Sequence, residues 1–341
     1  MIRILGAVLA LFSMTACAAG AAEEISRTDF VLGTVCSVRL LDGGSSRTSD
    51  QIFTRLREIE DRMSANKDGT QIAAVNAAAG KAAVAVTVDT FMVVSKALEY
   101  ARRSEGFFDP TVGPLVKLWN IGSEGAKVPR KQDIAAALAL IDYRKVQMDQ
   151  DALTIKLMAS NMRLDLGAIA KGYAADEVAR ILSEHKVKAA VVDLGGNVLV
   201  FGAKRDGTPW RIGIQDPART RGEYLGLVTG KAMTVVTSGI YERFFIENGV
   251  RYHHILDTKT GFPVDNGLAS LSIITSSSID ADALSTTVFS MGLEKGMEFV
   301  KGLKGVNAIF VDSKNRVYLS PGTNTMFKLT STNYTLAELK P

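Results

Sequence analysis

Four runs of this chain place carboxylate, ammonium, hydroxyl and imidazole groups at spacings that suit phosphate and metal chemistry. In 161–176, Asn-Met-Arg-Leu-Asp-Leu-Gly-Ala-Ile-Ala-Lys-Gly-Tyr-Ala-Ala-Asp, the alternation of Met162, Leu164 and Leu166 predicts a strand that breaks at Gly167 into a helix. Asp165 precedes that turn and Lys171 follows it, where unpaired backbone N–H groups and the helix dipole favour an anion. A cap and a solvated charge would leave the same pattern. In Asp280-Ala-Asp-Ala-Leu-Ser-Thr-Thr, Asp282, Ser285 and Thr286 stand at i, i+3 and i+4, so their oxygens share one helix face. Hard oxygens converging this way suit Mg²⁺, although Asp and Ser near a helix start also serve as caps.

The other two runs add an aromatic wall and a base. Gly106-Phe-Phe-Asp-Pro-Thr-Val-Gly-Pro-Leu-Val-Lys-Leu-Trp is a stiff loop that could grip a flat ligand or pack as an Ω-loop on the core. In the stretch from Thr237-Ser-Gly to His253-His254-Ile-Leu-Asp-Thr-Lys-Thr-Gly-Phe-Pro, two histidines adjoin at the end of a strand. Strand neighbours point to opposite faces, so only one of them can serve a given site, where it could take a proton from a hydroxyl. A plain hydrogen-bonded histidine is the competing reading.

The elements that must position these groups alternate in kind. The patterns predict a strand over 30–41 around Gly33-Thr34, helices over 50–63 and 89–103 (Asp89 or Thr87 as N-cap), a turn-rich loop over 104–125 and a short helix near 134–141. Strands follow near Val146 and over 153–157, then the 161–184 unit. After it the chain is mostly strand: 189–193, 198–201, 210–214, 224–228, 233–236, a hairpin turning at Asn248-Gly249, and 268–275. Helices over 278–291 and 293–301 and a hairpin at Lys314-Asn315 close the chain. No repeat or long linker divides it. The expectation is an α+β fold, one compact unit of two interlocked lobes with mixed, largely antiparallel sheets and packed helices.

Composition narrows the class. The chain has 341 residues, 47% hydrophobic, 22% charged, with a net charge of +4 spread among both signs, which argues against nucleic acid. Residues 1–17 read as a targeting segment, with Arg3 before an apolar run and small residues around Cys17. Ser13-Met-Thr-Ala-Cys17 resembles a lipobox, giving a lipid anchor at Cys17; cleavage after Ala19-Gly-Ala21 is the alternative. Either route leads out of a bacterial cytoplasm, to the periplasm. Residues 18–28 then form a spacer, 29–330 the body and 331–341 a tail. With Cys17 lipidated or removed, Cys36 has no intrachain partner, and no Cys/His cluster supports zinc or iron–sulfur chemistry.

Together these segments resemble the FAD:protein FMN transferases, the ApbE-like (T-fold-like) flavin transferases, from about residue 29 to 330. The likeness rests on Leu32-Gly-Thr, Arg62-Met-Ser with Asn76, Phe108-Asp-Pro-Thr-Val-Gly-Pro-Leu, Asp165-Leu-Gly-Ala-Ile-Ala-Lys-Gly, Gly195-Gly-Asn, Thr237-Ser-Gly, His254-Ile-Leu-Asp with Thr260-Gly, and Ala281-Asp-Ala-Leu-Ser-Thr. It implies that FAD binds with Mg²⁺, that a threonine hydroxyl of an acceptor protein attacks the FMN-side phosphorus, and that AMP leaves. The acceptors of the family carry a Ser/Asp-Gly-x-Thr-type motif in membrane or secreted redox proteins. The resemblance also implies metal ligands at Asp282, Ser285, Thr286 and the Ala168 carbonyl. FAD contacts would fall at Leu32, Asn66, Phe107, Phe108, Asp109, Asp165, Lys171 and Leu256. His254 is the expected base, with Asp282 its rival. Two positions depart from the family pattern: Leu32 replaces Met, and Thr258 replaces Pro after Asp257, which should loosen that turn. A Mg²⁺-dependent FAD pyrophosphatase and a non-catalytic FAD-binding protein are the alternatives.

Overall fold

The structure, a computed structural model, describes residues 24–339; the targeting segment and Cys17 lie outside them. Strands β1 (Ile25–Val31) and β2 (Thr34–Asp42) form a hairpin where one strand was expected, and β1 begins inside the stretch assigned as spacer. The turn residues Leu32 and Gly33 both have positive φ, 57° and 67°. That geometry matches the twist of paired strands, and it is unusual for Leu.

Helix α1 (Ser46–Met63) packs Ile52, Phe53, Leu56 and Ile59 inward. Helix α2 (Gln71–Ala77), capped by Thr70, was too short for its periodicity to show in the sequence. Strand β3 (Val84–Ala85) leads to α3 (Val88–Arg103), whose N-cap is Thr87. The expected loop contains a helix, α4 (Gly113–Trp119), before α5 (Lys131–Leu138), β4 (Val146–Asp149) and β5 (Thr154–Leu157). Helix α6 (Ala170–Glu184) follows. Then come β6 (Ala189–Leu194), β7 (Asn197–Gly202), β8 (Trp210–Gln215), β9 (Tyr224–Gly230) and β10 (Met233–Gly239). The expected hairpin is β11 (Phe244–Glu247) and β12 (Val250–His253), ahead of β13 (Leu268–Thr275). Helices α7 (Ser278–Met291) and α8 (Leu293–Lys301) are followed by β14 (Asn307–Asp312), β15 (Arg316–Leu319), β16 (Phe327–Leu329) and β17 (Thr335–Leu336).

Nine strands make one sheet in the order β1-β2-β6-β7-β10-β13-β14-β15-β17, antiparallel except for the last pair. Alternation sends neighbouring residues of its central strands into different cores. Val236, Ile273 and Phe310 join the helices on one face, and Val235, Ile274 and Ile309 meet the sheet β16-β9-β8 on the other. A third, smaller core gathers Leu115, Trp119, Ile134, Ala137 and Leu256 beneath the β11–β12 hairpin. The fold is α+β, as expected.

One local expectation fails. Residues 162–166 form no strand, a single bridge joining Arg163 to Val112, and 167–169 are a turn. The Asn76 side chain stands in for a ladder neighbour, accepting from Leu164 N (2.7 Å) and donating to Leu164 O (3.0 Å). Pro110 O then accepts from Asp165 N at 2.8 Å, so the segment carrying Asp165 is fixed from two sides.

Candidate active site

The start of α6 meets the start of α7 at very close range. A Cβ on Gly172 would fall 2.2 Å from Ser278 O and 2.7 Å from Asp282 Cβ, so only glycine permits this contact. Each helix caps the other. Asp176, on α6, accepts from Ser278 N (2.8 Å) and Ile279 N (2.9 Å) at the start of α7. Asp282, on α7, accepts from Gly172 N (2.8 Å) through Oδ2.

That second bond has a consequence for oxygen chemistry. Within a regular helix Gly172 N–H would bond the carbonyl of Ala168; drawn to Asp282, it leaves that carbonyl without its usual donor. Asp282 is only 3% exposed, yet its Oδ1 has one partner in reach, Lys171 Nζ at 3.7 Å. Lys171 also donates to Gly167 O (3.2 Å). Thr286 is half-buried one turn beyond Asp282, and no hydrogen bond of its hydroxyl occurs among the described residues. Asp282 Oδ1, Thr286 Oγ1 and Ala168 O are therefore hard donors with spare capacity, the set a Mg²⁺ ion accepts. Ser285 is engaged within the protein: its buried hydroxyl donates to Asp282 O (2.9 Å) and accepts from Ser238 (2.9 Å), so it braces the turn that carries Asp282. Among the described residues no three His, Cys, Asp or Glu side chains form a metal cluster.

Asp165 faces the same region. Its Oδ1 accepts from Gly167 N at 2.8 Å, and burial raises its pKa against the pull of that bond and of Arg163, Arg243 and Lys171. The Leu32-Gly33 turn closes in from the other side: Gly33 N donates to Glu60 Oε1 (3.2 Å) and Gly33 O accepts from Arg243 Nη2 (2.9 Å).

Alternation sorts the two histidines as the sequence implied. His253 is buried, bonded through Nε2 to Val264 O (2.9 Å) and edge-on to Phe289. His254 is exposed and lies across from Arg243, whose carbonyl accepts from its backbone N (3.1 Å) and sits 3.3 Å from its Nδ1. A carbonyl partner assigns the proton to Nδ1 and leaves Nε2 free to accept one. Surrounding protein, then Arg243 and His253, depress the pKa of His254 below 6.5. His254 is thus unprotonated at neutral pH, and a weaker base than a free imidazole. His185, the third histidine, is tied at both nitrogens to Thr48 and Gln51.

Other expected contacts divide. Phe107 keeps a half-buried ring with Lys259 Nζ 4.0 Å and Lys295 Nζ 5.6 Å from its centroid. Asn66 is exposed just beyond the end of α1. Phe108 is instead buried edge-on against Tyr100, and Leu256 is buried in the small core. Asp109 is spent on its own loop, taking Thr111 N, Thr111 Oγ1 and Tyr143 N at 2.7–3.0 Å. These three side chains shape the loops that carry them. Thr258, expected to loosen its turn, donates to Gly106 O (2.6 Å) and ties the histidine loop to the Phe107 loop. Arg62 pairs with Asp89 (2.6 Å) beside a cavity of about 450 Å³ that includes none of the groups around Asp282.

Sequence reasoning gave no role to Arg243, Asp176 or Ser238. Arg243 was within reach of it: a hairpin turning at Asn248-Gly249 sets Arg243 opposite His254. Asp176 and Ser238 lie inside quoted runs, but their partners, about 100 and 47 residues away, were not legible.

Residues 32–310 match the model of the ApbE family. Over 317 residues, 88% of both chains, the sequence is 39% identical to the FAD:protein FMN transferase of Treponema pallidum (strain Nichols). It is 36% identical to the same-named protein of Klebsiella pneumoniae (strain 342), over 84% of this chain and 89% of that one. The fold is similar to the crystal structure of the ApbE protein from Thermotoga maritima, with a TM-score of 0.82 at 30% identity over 89% of this chain and 99% of that one. The flavin transferase ApbE from Vibrio cholerae gives 0.79 at 27%, with the same coverage.

Proposed function

Because the chain belongs to the ApbE family, we infer that it is an FAD:protein FMN transferase, an enzyme that moves FMN from FAD to an acceptor protein. We propose further that a threonine hydroxyl is the acceptor group and that the reaction requires Mg²⁺. A new P–O bond forms between that hydroxyl and the FMN-side phosphorus of FAD, the bridging P–O bond breaks, and AMP departs. The hydroxyl proton passes to Nε2 of His254.

The observation that carries this reading is the open oxygen set at the start of α6: Asp282 Oδ1 with Thr286 and the Ala168 carbonyl, beside the Lys171 ammonium. Mg²⁺ held there would neutralise pyrophosphate charge, which is most of what phosphoryl transfer asks of a protein. Lys171 contributes a second positive charge, and Asp165, the Leu32-Gly33 turn, Asn66 and the Phe107 ring would orient the rest of FAD. Bound phosphates also raise the pKa of His254, offsetting the depression caused by Arg243 and restoring basicity when substrate is present. Water reaches His254 as well, which favours slow FAD hydrolysis as a side reaction when no acceptor is bound.

Export through the segment 1–17, with lipid at Cys17, would place the enzyme in the periplasm beside redox proteins carrying a Ser/Asp-Gly-x-Thr motif. The test is to incubate the purified body with FAD, Mg²⁺ and a secreted redox domain bearing that motif. An acceptor mass gain equal to FMN less one water, matched by AMP, is expected. Release of AMP with no gain in acceptor mass would replace the transferase with a hydrolase.

A further inference from the structure

We propose that the tip of the β1–β2 hairpin is a docking surface for the folded body of the acceptor protein, a role separate from reading the threonine-bearing loop. The inference rests on the transferase reading, which requires a second protein at this site. Phe30 is 70% exposed and Val35 52%, and the two are directly opposed in the hairpin register. Phe30 is the most exposed large apolar side chain among the described residues. Single exposed hydrophobics are ordinary, but a cross-strand pair at a sheet edge forms one contiguous apolar patch.

Its position gives the patch a partner. Val35 is two residues from Gly33, about one strand repeat, and Gly33 is bonded to Arg243, the residue opposite His254. A protein that brings a hydroxyl to His254 therefore overhangs this tip. Four other exposed apolar residues do not meet that condition. Phe244 and Ile246 lie on the hairpin face opposite His254, by alternation. Val88 and Met92 line the Arg62 cavity.

The mode of contact is also constrained. Phe30 N, which points away from β2 at the open edge of the large sheet, is already bonded to Asp29 Oδ1 (2.9 Å). Asp29 is held in turn by Arg27 and Arg57. The edge is closed to strand addition at this point, so the acceptor meets the side chains of Phe30 and Val35 through an apolar rim of its own.

The test compares two probes: a folded secreted redox domain bearing a Ser/Asp-Gly-x-Thr motif, and a short synthetic peptide with the same motif. Phe30→Thr and Val35→Thr keep strand propensity at exposed positions, so folding should survive, which melting curves verify. In the double variant, KM for the folded domain should rise roughly tenfold, as loss of an interface anchor does, with kcat retained. KM for the peptide and the rate of AMP release from FAD alone should stay at wild-type values. An unchanged KM for the folded domain overturns the proposal. An equal rise for the peptide also overturns it, assigning the pair to the reacting loop. If the substitutions instead abolish vesicle sedimentation or self-association of the wild type, the patch belongs to a lipid surface or a second copy, and the proposal fails. A wild type that transfers FMN to neither probe defeats the transferase reading itself, a result distinct from all of these.

Discussion

The starts of α6 and α7 are built from the same parts and finished in opposite ways. At α7 the first N–H groups are taken up: Asp176 accepts from Ser278 and Ile279, and the Ser277 hydroxyl accepts from Asp280 N. At α6 a carboxylate takes only Gly172 N–H, and in doing so leaves the Ala168 carbonyl and its own Oδ1 with capacity to spare. The closed start gives rigidity; the open start gives a place for charge. Buried polar groups are normally satisfied, so a helix start left open while its neighbour is fully capped is the feature on which the proposed cation site rests.

The largest expected effect opens the comparison at Asp282. Asp282→Asn retains an acceptor for Gly172 N–H but removes the charge, and FMN transfer should fall by two to three orders of magnitude or so. AMP release measures the loss, and melting near the wild-type temperature shows that the cap survived. Next, His254→Ala should lower transfer about a hundredfold with FAD still bound, the usual scale for a lost general base. His253→Ala should do the reverse, costing stability through its lost Val264 bond while each folded molecule transfers normally. A His254 variant at full rate would move the proton to a metal-bound group or to Asp282.

Asp176→Ala attacks the closed start. Losing two bonds to helix N–H groups should cost about 1–2 kcal/mol of stability, read in denaturant titration, with a smaller loss of activity than at Asp282. The smallest effect is in pH. The pKa of His254 is lowered, so the neutral form persists as pH falls, and kcat/KM for FAD should stay level through pH 6.5 before declining. Arg243→Gln removes a positive neighbour and should move that decline to higher pH. No movement would mean that Arg243 acts on the Gly33 turn alone.

Legibility followed the range of the interactions. The β11–β12 turn was readable because Asn248-Gly249 acts on the residues beside it. The extended segment before Asp165 was misread as a strand because its ladder partner is a side chain, Asn76, 88 residues earlier. Asp109 and Leu256 were legible as motif positions, but a motif does not show where its side chain turns, here into its own loop and into the small core. Asp282 was legible as a donor of oxygen. That one of its oxygens would be spent on Gly172 and the other left free depended on the packing of two helices, which glycine at 172 alone allows.

The central claim is that the open start of α6 holds a cation, and calorimetric titration of Mg²⁺ into the FAD-loaded protein tests it most directly. The account predicts one Mg²⁺ site per chain in the wild type and none in Asp282→Asn, with FAD bound by both. Equal Mg²⁺ binding by the two proteins would contradict it.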